Sequence, residues 1–158
     1  MSIDKVRKYF KTFGIENQIL EFDQSSATVE LAAQALNCKP ERIAKTLSFM
    51  LNESPILIVM AGDVKIDNSK YKQTFGAKAK MLSCEQAAEL IGHAVGGVCP
   101  FAVNDGVEVF LDQSLKRFSS VFPACGSSNS AIELTIDQLE KFSNFSKWVD
   151  VCKAIVTQ

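Results

Sequence analysis

The chain contains one histidine, one tryptophan, two tyrosines and four prolines in 158 residues. It also lacks any apolar run long enough to cross a membrane as a helix. Its five cysteines, Cys38, Cys84, Cys99, Cys125 and Cys152, are scattered without a Cys-x-x-Cys pair. With His93 as the sole imidazole, the clustered ligands of a zinc site are missing, and no metal or cofactor is expected. An odd cysteine count argues for reduced thiols. The opening Met1-Ser-Ile-Asp-Lys reads as amphipathic helix without a signal peptide's apolar core, so a cytoplasmic location is expected. Charge of one sign is missing too: 17 Lys and Arg stand against 18 Asp and Glu. That balance excludes the strongly basic footprint of a general nucleic-acid binder. There is no internal repeat and no low-complexity linker. What is present, 47% hydrophobic and 22% charged residues, is ordinary for one soluble domain spanning 1–158.

The hydrophobic pattern interleaves helices with pairs of strands. Ser2 is placed to cap a helix over Ile3, Val6, Phe10 and Phe13 that Gly14 ends. A strand follows at 18–22, and Thr28 caps a short helix over Val29, Ala32, Ala33 and Leu36. Strands at 43–51 and 55–61 flank the turn Asn52-Glu-Ser-Pro and form a hairpin. Asp67 starts a helix that closes by Gly76, and a short strand leads to Leu82. Ser83 and Gln86 make a capping box for a helix to Ile91. A strand at 106–111, one helical turn after Asp112, and strands at 119–122 and 131–135 come next. Thr135 and Gln138 form a second capping box opening a helix toward Phe142. Trp148 and Val151 are read as packing a C-terminal helix on the body. This order predicts an α+β fold with a mixed, largely antiparallel sheet rather than a doubly wound one.

Two features point to chemistry. The loop Gly92-His-Ala-Val-Gly-Gly-Val-Cys-Pro-Phe101 pairs a bare backbone at Gly96 and Gly97 with a fixed φ at Pro100. Such a loop recognises small polar groups through N–H and C=O, although Gly-Gly-x-x-Pro is equally a plain turn. The second feature is Lys45 in an otherwise apolar strand, sharing a face with Ile43, Leu47, Phe49 and Leu51. A lysine there either lines a cavity, meets an anion, or guards a sheet edge by snorkelling to solvent.

In order along the chain, Ile43-Ala-Lys-Thr-Leu47, Gly62-Asp63, Ile66-Asp67, Lys70, Gly96-Gly-Val-Cys-Pro-Phe101, Val109-Phe-Leu-Asp-Gln-Ser-Leu115 and Gly126 appear. Over roughly residues 22–139 the chain resembles the YbaK/EbsC family, related to the editing domain of bacterial prolyl-tRNA synthetases. The resemblance implies a sheet curved around a pocket and a free-standing aminoacyl-tRNA deacylase. Its partners would be the acceptor end of an aminoacyl-tRNA, with the proline tRNA foremost, and an aminoacyl-tRNA synthetase. It implies Lys45 as the catalytic charge and Gly96, Gly97, Val98, Pro100 and Phe101 as the substrate loop. Gly126 and Ser127 become the opposite rim. Thr46, Asp63 and Thr28 carry two readings each: substrate contact, or sheet packing, turn capping and helix capping respectively. Cysteine-removing members resembling YbaK have a Ser and an Asp near Ala124 and Ala131 and a Tyr near Phe22. Alanine-removing members tend to have a late histidine that this chain lacks.

Lys65, Lys70, Lys72, Lys78 and Lys80 stand against a single acid, Asp67, in the stretch 65–80. Lys70 and Lys72 are the expected tRNA contacts, with Lys39 and Arg42 next, against the plain reading of a solvated helix face. Two rivals remain open. A thiol hydrolase would use Cys99 with His93 as base. A non-catalytic tRNA- or ligand-binding module on the same fold would need no inward lysine.

Overall fold

The computed structural model describes residues 2–155, and its centre is a hairpin. Strands β2 (Ile43–Leu51) and β3 (Ser54–Ala61) pair antiparallel over their whole length, with Lys45 opposite Met60 and Leu51 opposite Ser54. Asn52 and Glu53 both take positive φ, 49° and 69°, as a two-residue hairpin turn of matching twist requires. From Ile56 to Ala61 every side chain of β3 is at most 2% exposed. That explains its unbroken apolar sequence: both faces of the strand are covered.

Around this hairpin the main sheet runs β8-β6-β2-β3-β5-β9. The added strands are β5 (Glu108–Asp112), β6 (Ser120–Pro123), β8 (Leu134–Thr135) and β9 (Lys147–Val149). β5 lies parallel to β3, and β9 parallel to β5. β6 lies parallel to β2 and antiparallel to β8. Two small antiparallel ribbons complete the strands. One pairs β1 (Leu20–Glu21) with β7 (Ser130–Ala131), the other β4 (Val64–Ile66) with β10 (Cys152–Ala154). The fold is mixed α+β with a curled sheet.

Among the described residues five α-helices cover it. In α1 (Ser2–Lys11), Val6 and Phe10 are buried one turn apart, and the Phe10 ring meets Phe101 at a centroid distance of 4.8 Å. Ser2 is the first helical residue and not a cap; its hydroxyl donates to the Gly126 carbonyl. α2 (Val29–Leu36) is capped by Thr28, whose oxygen accepts the Leu31 N–H at 3.2 Å. Asp67 caps α3 (Asn68–Phe75), and Gly76 closes it at φ 75°. Ser83 and Gln86 form the expected reciprocal box on α4 (Cys84–Gln86), which widens into a π-turn over Ala87–Ile91. Thr135 and Gln138 do the same for α5 (Ile136–Ser143). Among the described residues no helix is long and apolar enough to cross a membrane.

Besides the Ser2 cap, three expectations change. The strand at 18–22 shrinks to β1 because Glu16–Gln18 form a helical turn before it. The segment 131–135 is not one strand: Ser130–Ala131 pairs with β1 and Leu134–Thr135 with β6. The C-terminal helix is absent from the described residues, where Trp148 lies in β9 and Val151 leads into β10. Asn144 at φ 50° stops α5; the β-branched Val149 then pairs on the edge of β5, and the Val151 N–H goes to the Asp112 carboxylate. Long-range pairing outweighs the helical spacing of a few apolar residues.

Asp112 secures that end of the chain. Its carboxylate is 2% exposed and accepts both the Ser114 N–H and the Val151 N–H at 2.9 Å. Asp112→Ala leaves a buried donor unpaired and removes a cap, at an expected cost of about 2–3 kcal/mol. Urea unfolding should show a lower midpoint with an unchanged m-value; an unshifted midpoint would contradict this role for the carboxylate.

Candidate functional site

The edge of β2 is interrupted. On the side away from β3 it pairs with β6 only at Ile43 and Ala44. Farther along, Ser48 O accepts from Leu82 N at 3.1 Å and Met50 N donates to Lys80 O at 2.8 Å. Among the described residues, Lys45, Thr46 and Leu47 in between have no strand neighbour on that side. A cavity of about 330 Å³ occupies the gap, with β2 as one wall, residues 26–32 around the start of α2 as another, and Gly96 with Val98 opposite. Because the cavity sits at an open edge, residues from both faces of the strand border it, Lys45 and Thr46 included.

Lys45 is half-buried, and its ammonium donates to the Val64 carbonyl. Burial lowers its pKa, against opposing contributions from Cys152, Glu30 and Asp63. Asp63 lies outside the wall and clamps Arg117 through two hydrogen bonds of 2.6 and 3.0 Å. The Arg117 guanidinium beside it holds the Asp63 carboxyl below its ordinary range. Gly62 allows this turn to reach Pro40, since a Cβ there would sit 2.1 Å from the Pro40 carbonyl oxygen. Thr46 Oγ1 is buried without a hydrogen-bond partner, so the wall holds an unused donor and acceptor. Thr28 both caps α2 and lines the cavity.

Only part of the glycine–proline loop faces the cavity. Gly96, at φ 96°, and Val98 line it. Gly97 lies behind them, where a Cβ would come within 2.6 Å of the Gly126 and Ser127 backbones. Gly126, at φ 93°, would in turn press a Cβ to 2.8 Å from the Ser2 backbone. The two glycine loops are therefore stacked and braced by the first turn of α1. Pro100 is buried, and Phe101 is wholly within the core. Ser127 turns away, its hydroxyl donating to Ser130 Oγ at 2.7 Å. The rim expected at Gly126 and Ser127 is formed instead by the flanking Ala124, Ser130 and Ala131.

Sequence reasoning missed Ser26, Ser48, Met81 and Val95, which also line the cavity. The alternation Ala44, Thr46, Ser48 carried a signal for Ser48, a polar stripe on one face of an otherwise apolar strand. Val95 lies inside the glycine–proline loop without being distinguished there, and nothing local marked Met81. Lys70 and Lys72 sit on α3, which gives no residue to the wall. The Lys70 ammonium is engaged by Asp150 and by the Cys152 carbonyl, both at 3.1 Å.

The Cys99–His93 pair is real but sealed. Cys99 Sγ lies 3.6 Å from His93 Nε2, and the two residues are 0% and 1% exposed. That same Nε2 is 2.7 Å from the Phe101 carbonyl, which can only accept, so Nε2 carries the proton and is no base toward the thiol. Burial pushes the Cys99 thiol up to about 12. This geometry opposes the thiol-hydrolase reading.

Residues 23–142 match the family model described as the aminoacyl-tRNA editing domain. The uncharacterized protein YwhH of Bacillus subtilis (strain 168) is 55% identical over 154 residues, covering 97% of this chain and 98% of its own. A proline–tRNA ligase of Bacillus cereus (strain AH820) is 26% identical over 102 residues. That match takes in 64% of this chain but only 18% of the ligase. Among solved structures, a candidate trans-editing enzyme for prolyl-tRNA synthetase superposes with a TM-score of 0.86 at 25% identity. It covers 97% of this chain and 98% of that one.

His93 makes stability depend on pH. Burial lowers its pKa, the Phe101 carbonyl opposes that, and Lys5 adds to it. Below the unfolded value of about 6.5 the unfolded chain binds a proton that the native ring refuses. Stability should therefore fall as pH drops through 6.5, by no more than about 1.4 kcal/mol per pH unit, and level off below the native pKa. Urea titrations between pH 7.5 and 5.5 check this. His93→Gln should flatten the profile, and a wild-type profile already flat would refute the assignment.

Proposed function

The chain belongs to the aminoacyl-tRNA editing domain family, and on that premise we propose that it is a free-standing trans-editing deacylase. It hydrolyses the ester between a small non-cognate amino acid and the terminal ribose of a tRNA, with the proline tRNA as the first candidate. Its place of action is the cytoplasm, beside the synthetase whose errors it removes. The observation that carries this reading is the half-buried Lys45 ammonium at the uncovered edge of β2.

The chemistry needs a stabilised oxyanion, a positioned carbonyl and a water. The Lys45 ammonium offsets the negative charge that the acyl oxygen gains as water adds to the carbonyl carbon. The bare backbone of Gly96 and Val98 and the unpaired edge at Thr46 hold the aminoacyl group through N–H and C=O. The Thr46 hydroxyl, without a protein partner, and Thr28 at the opposite wall are further contacts. Collapse of the tetrahedral intermediate breaks the acyl C–O bond, and the departing ribose oxygen takes up the proton that the attacking water has given up. Water attacks directly; no thiol participates.

The wall supports a small, weakly polar side chain as substrate. Ala124 and Ala131, where cysteine-removing relatives carry polar groups, both line the cavity, together with Ala32, Ala44 and Phe122. Such a wall discriminates by size at only about 1–3 kcal/mol per methylene, so more than one small amino acid is accepted.

Deacylation assays on tRNAs charged with Ala, Cys, Ser, Thr and Pro should show release of at least one above the buffer rate. No release at enzyme well above tRNA would sink the enzyme and leave a binding module. Lys45→Ala should slow release at least about a hundredfold, the cost of one lost oxyanion partner, with an unchanged circular dichroism spectrum. An active, folded Lys45→Ala protein would refute the mechanism.

Cys99→Ala should retain most of the rate, because the thiol neither reaches the cavity nor ionises near neutral pH. A folded but inactive Cys99→Ala protein would revive covalent catalysis.

A further inference from the structure

The cavity mouth is asymmetric. On one side the extended segment after Gly76 is fixed to β2 through the Lys80 carbonyl and the Leu82 N–H. Alternation along that segment turns Ala79 onto the core and leaves Lys78 and Lys80 exposed. Met81 then stands at the rim, 57% exposed although it lines the cavity. Val95, on the glycine–proline loop, is 61% exposed and also part of the wall. Large apolar side chains left exposed where they also line a cavity mark a contact surface.

Charge follows the same edge. Between Asp67 and Glu85 the chain has no acidic residue. Lys78 and Lys80 have no ion-pair partner among the described residues, whereas Lys70 is held by Asp150. The rim thus offers two exposed cations, without an ion-pair partner among the described residues, next along the chain to Met81 and the cavity wall. A phosphate chain that delivers its last base and ribose into the cavity has the complementary order.

We propose that this rim, Lys78, Lys80, Met81 and Val95, is the docking surface for the single-stranded 3′ end of a tRNA. Lys78 and Lys80 take the phosphates just before the terminal nucleotide. Met81 and Val95 flank the terminal base, which leaves the ribose and its ester directed toward Lys45. The ligand's identity rests on the deacylase reading; the placement rests on the rim itself. The phosphate contacts lie here rather than at Lys70 and Lys72.

Filter binding with uncharged proline tRNA tests the placement without using catalysis. The wild-type chain should bind intact tRNA more tightly than tRNA shortened by its single-stranded 3′ nucleotides. Lys78→Gln with Lys80→Gln should lower the slope of log K against log salt by about 1.4, two contacts at the single-strand value. Met81→Ser with Val95→Ser should erase the preference for intact tRNA while keeping that slope. Wild-type slope and affinity in the lysine pair would overturn the proposal. So would a slope lost only on neutralising Lys70 and Lys72, or wild-type binding indifferent to the 3′ end. Normal 3′-end binding without release of any amino acid would instead count against the deacylase alone.

Discussion

The structure depends on where β2 stops being paired. A strand in mid-sheet normally spends its N–H and C=O groups on both neighbours, and buried orphans are rare. Here β6 takes Ile43 and Ala44, the Lys80–Leu82 stretch takes Ser48 and Met50, and the three residues between go unclaimed on that side. The cavity, the access of Lys45 to it and the mixed polarity of its wall follow from that gap. It also explains why one cavity draws on residues that alternate between the two faces of the strand.

Much of the local structure was legible because it is encoded locally. Thr28, Asp67, Ser83, Asp112 and Thr135 all cap as their spacing implies, and Asn52 with Glu53 closes the hairpin. Lys45 was conspicuous as a charge amid apolar neighbours. The errors are long-range. Ser130–Ala131 and Leu134–Thr135 bind different partners, a division that no window of that sequence contains. Trp148 became a strand residue, and Val151 the lead into another strand, because β5 and β4 offered edges, a fact located far away in the chain. The site shows the same split: Gly96 and Val98 face the cavity as the loop's composition implied, whereas Gly97, Gly126 and Ser127 are spent on packing the loops together.

That packing gives the loop its rigidity. Gly97 against Gly126, and Gly126 against the first turn of α1, are approaches no side chain could permit. Beneath the loop, Phe101 is fixed by Phe10 above and by the His93 hydrogen bond to its carbonyl. His93 and Cys99, which look catalytic by residue type, serve this buried support and leave the cavity to a single charged side chain.

The open stretch of β2 also has a bearing on the order of assembly. The β2–β3 hairpin closes across two residues and needs no other part of the chain, so it can form early. The partners that frame the gap come from far along the sequence: β6 from beyond residue 119, the loop at Gly96 from the middle, α1 from the start. Their loop-closure entropy is met only once most of the chain is placed. Lys45 is therefore set in its strand before the pocket around it exists. By the same reasoning the pocket is completed after the hairpin that carries its charge, and it loosens before that hairpin does when the fold is stressed.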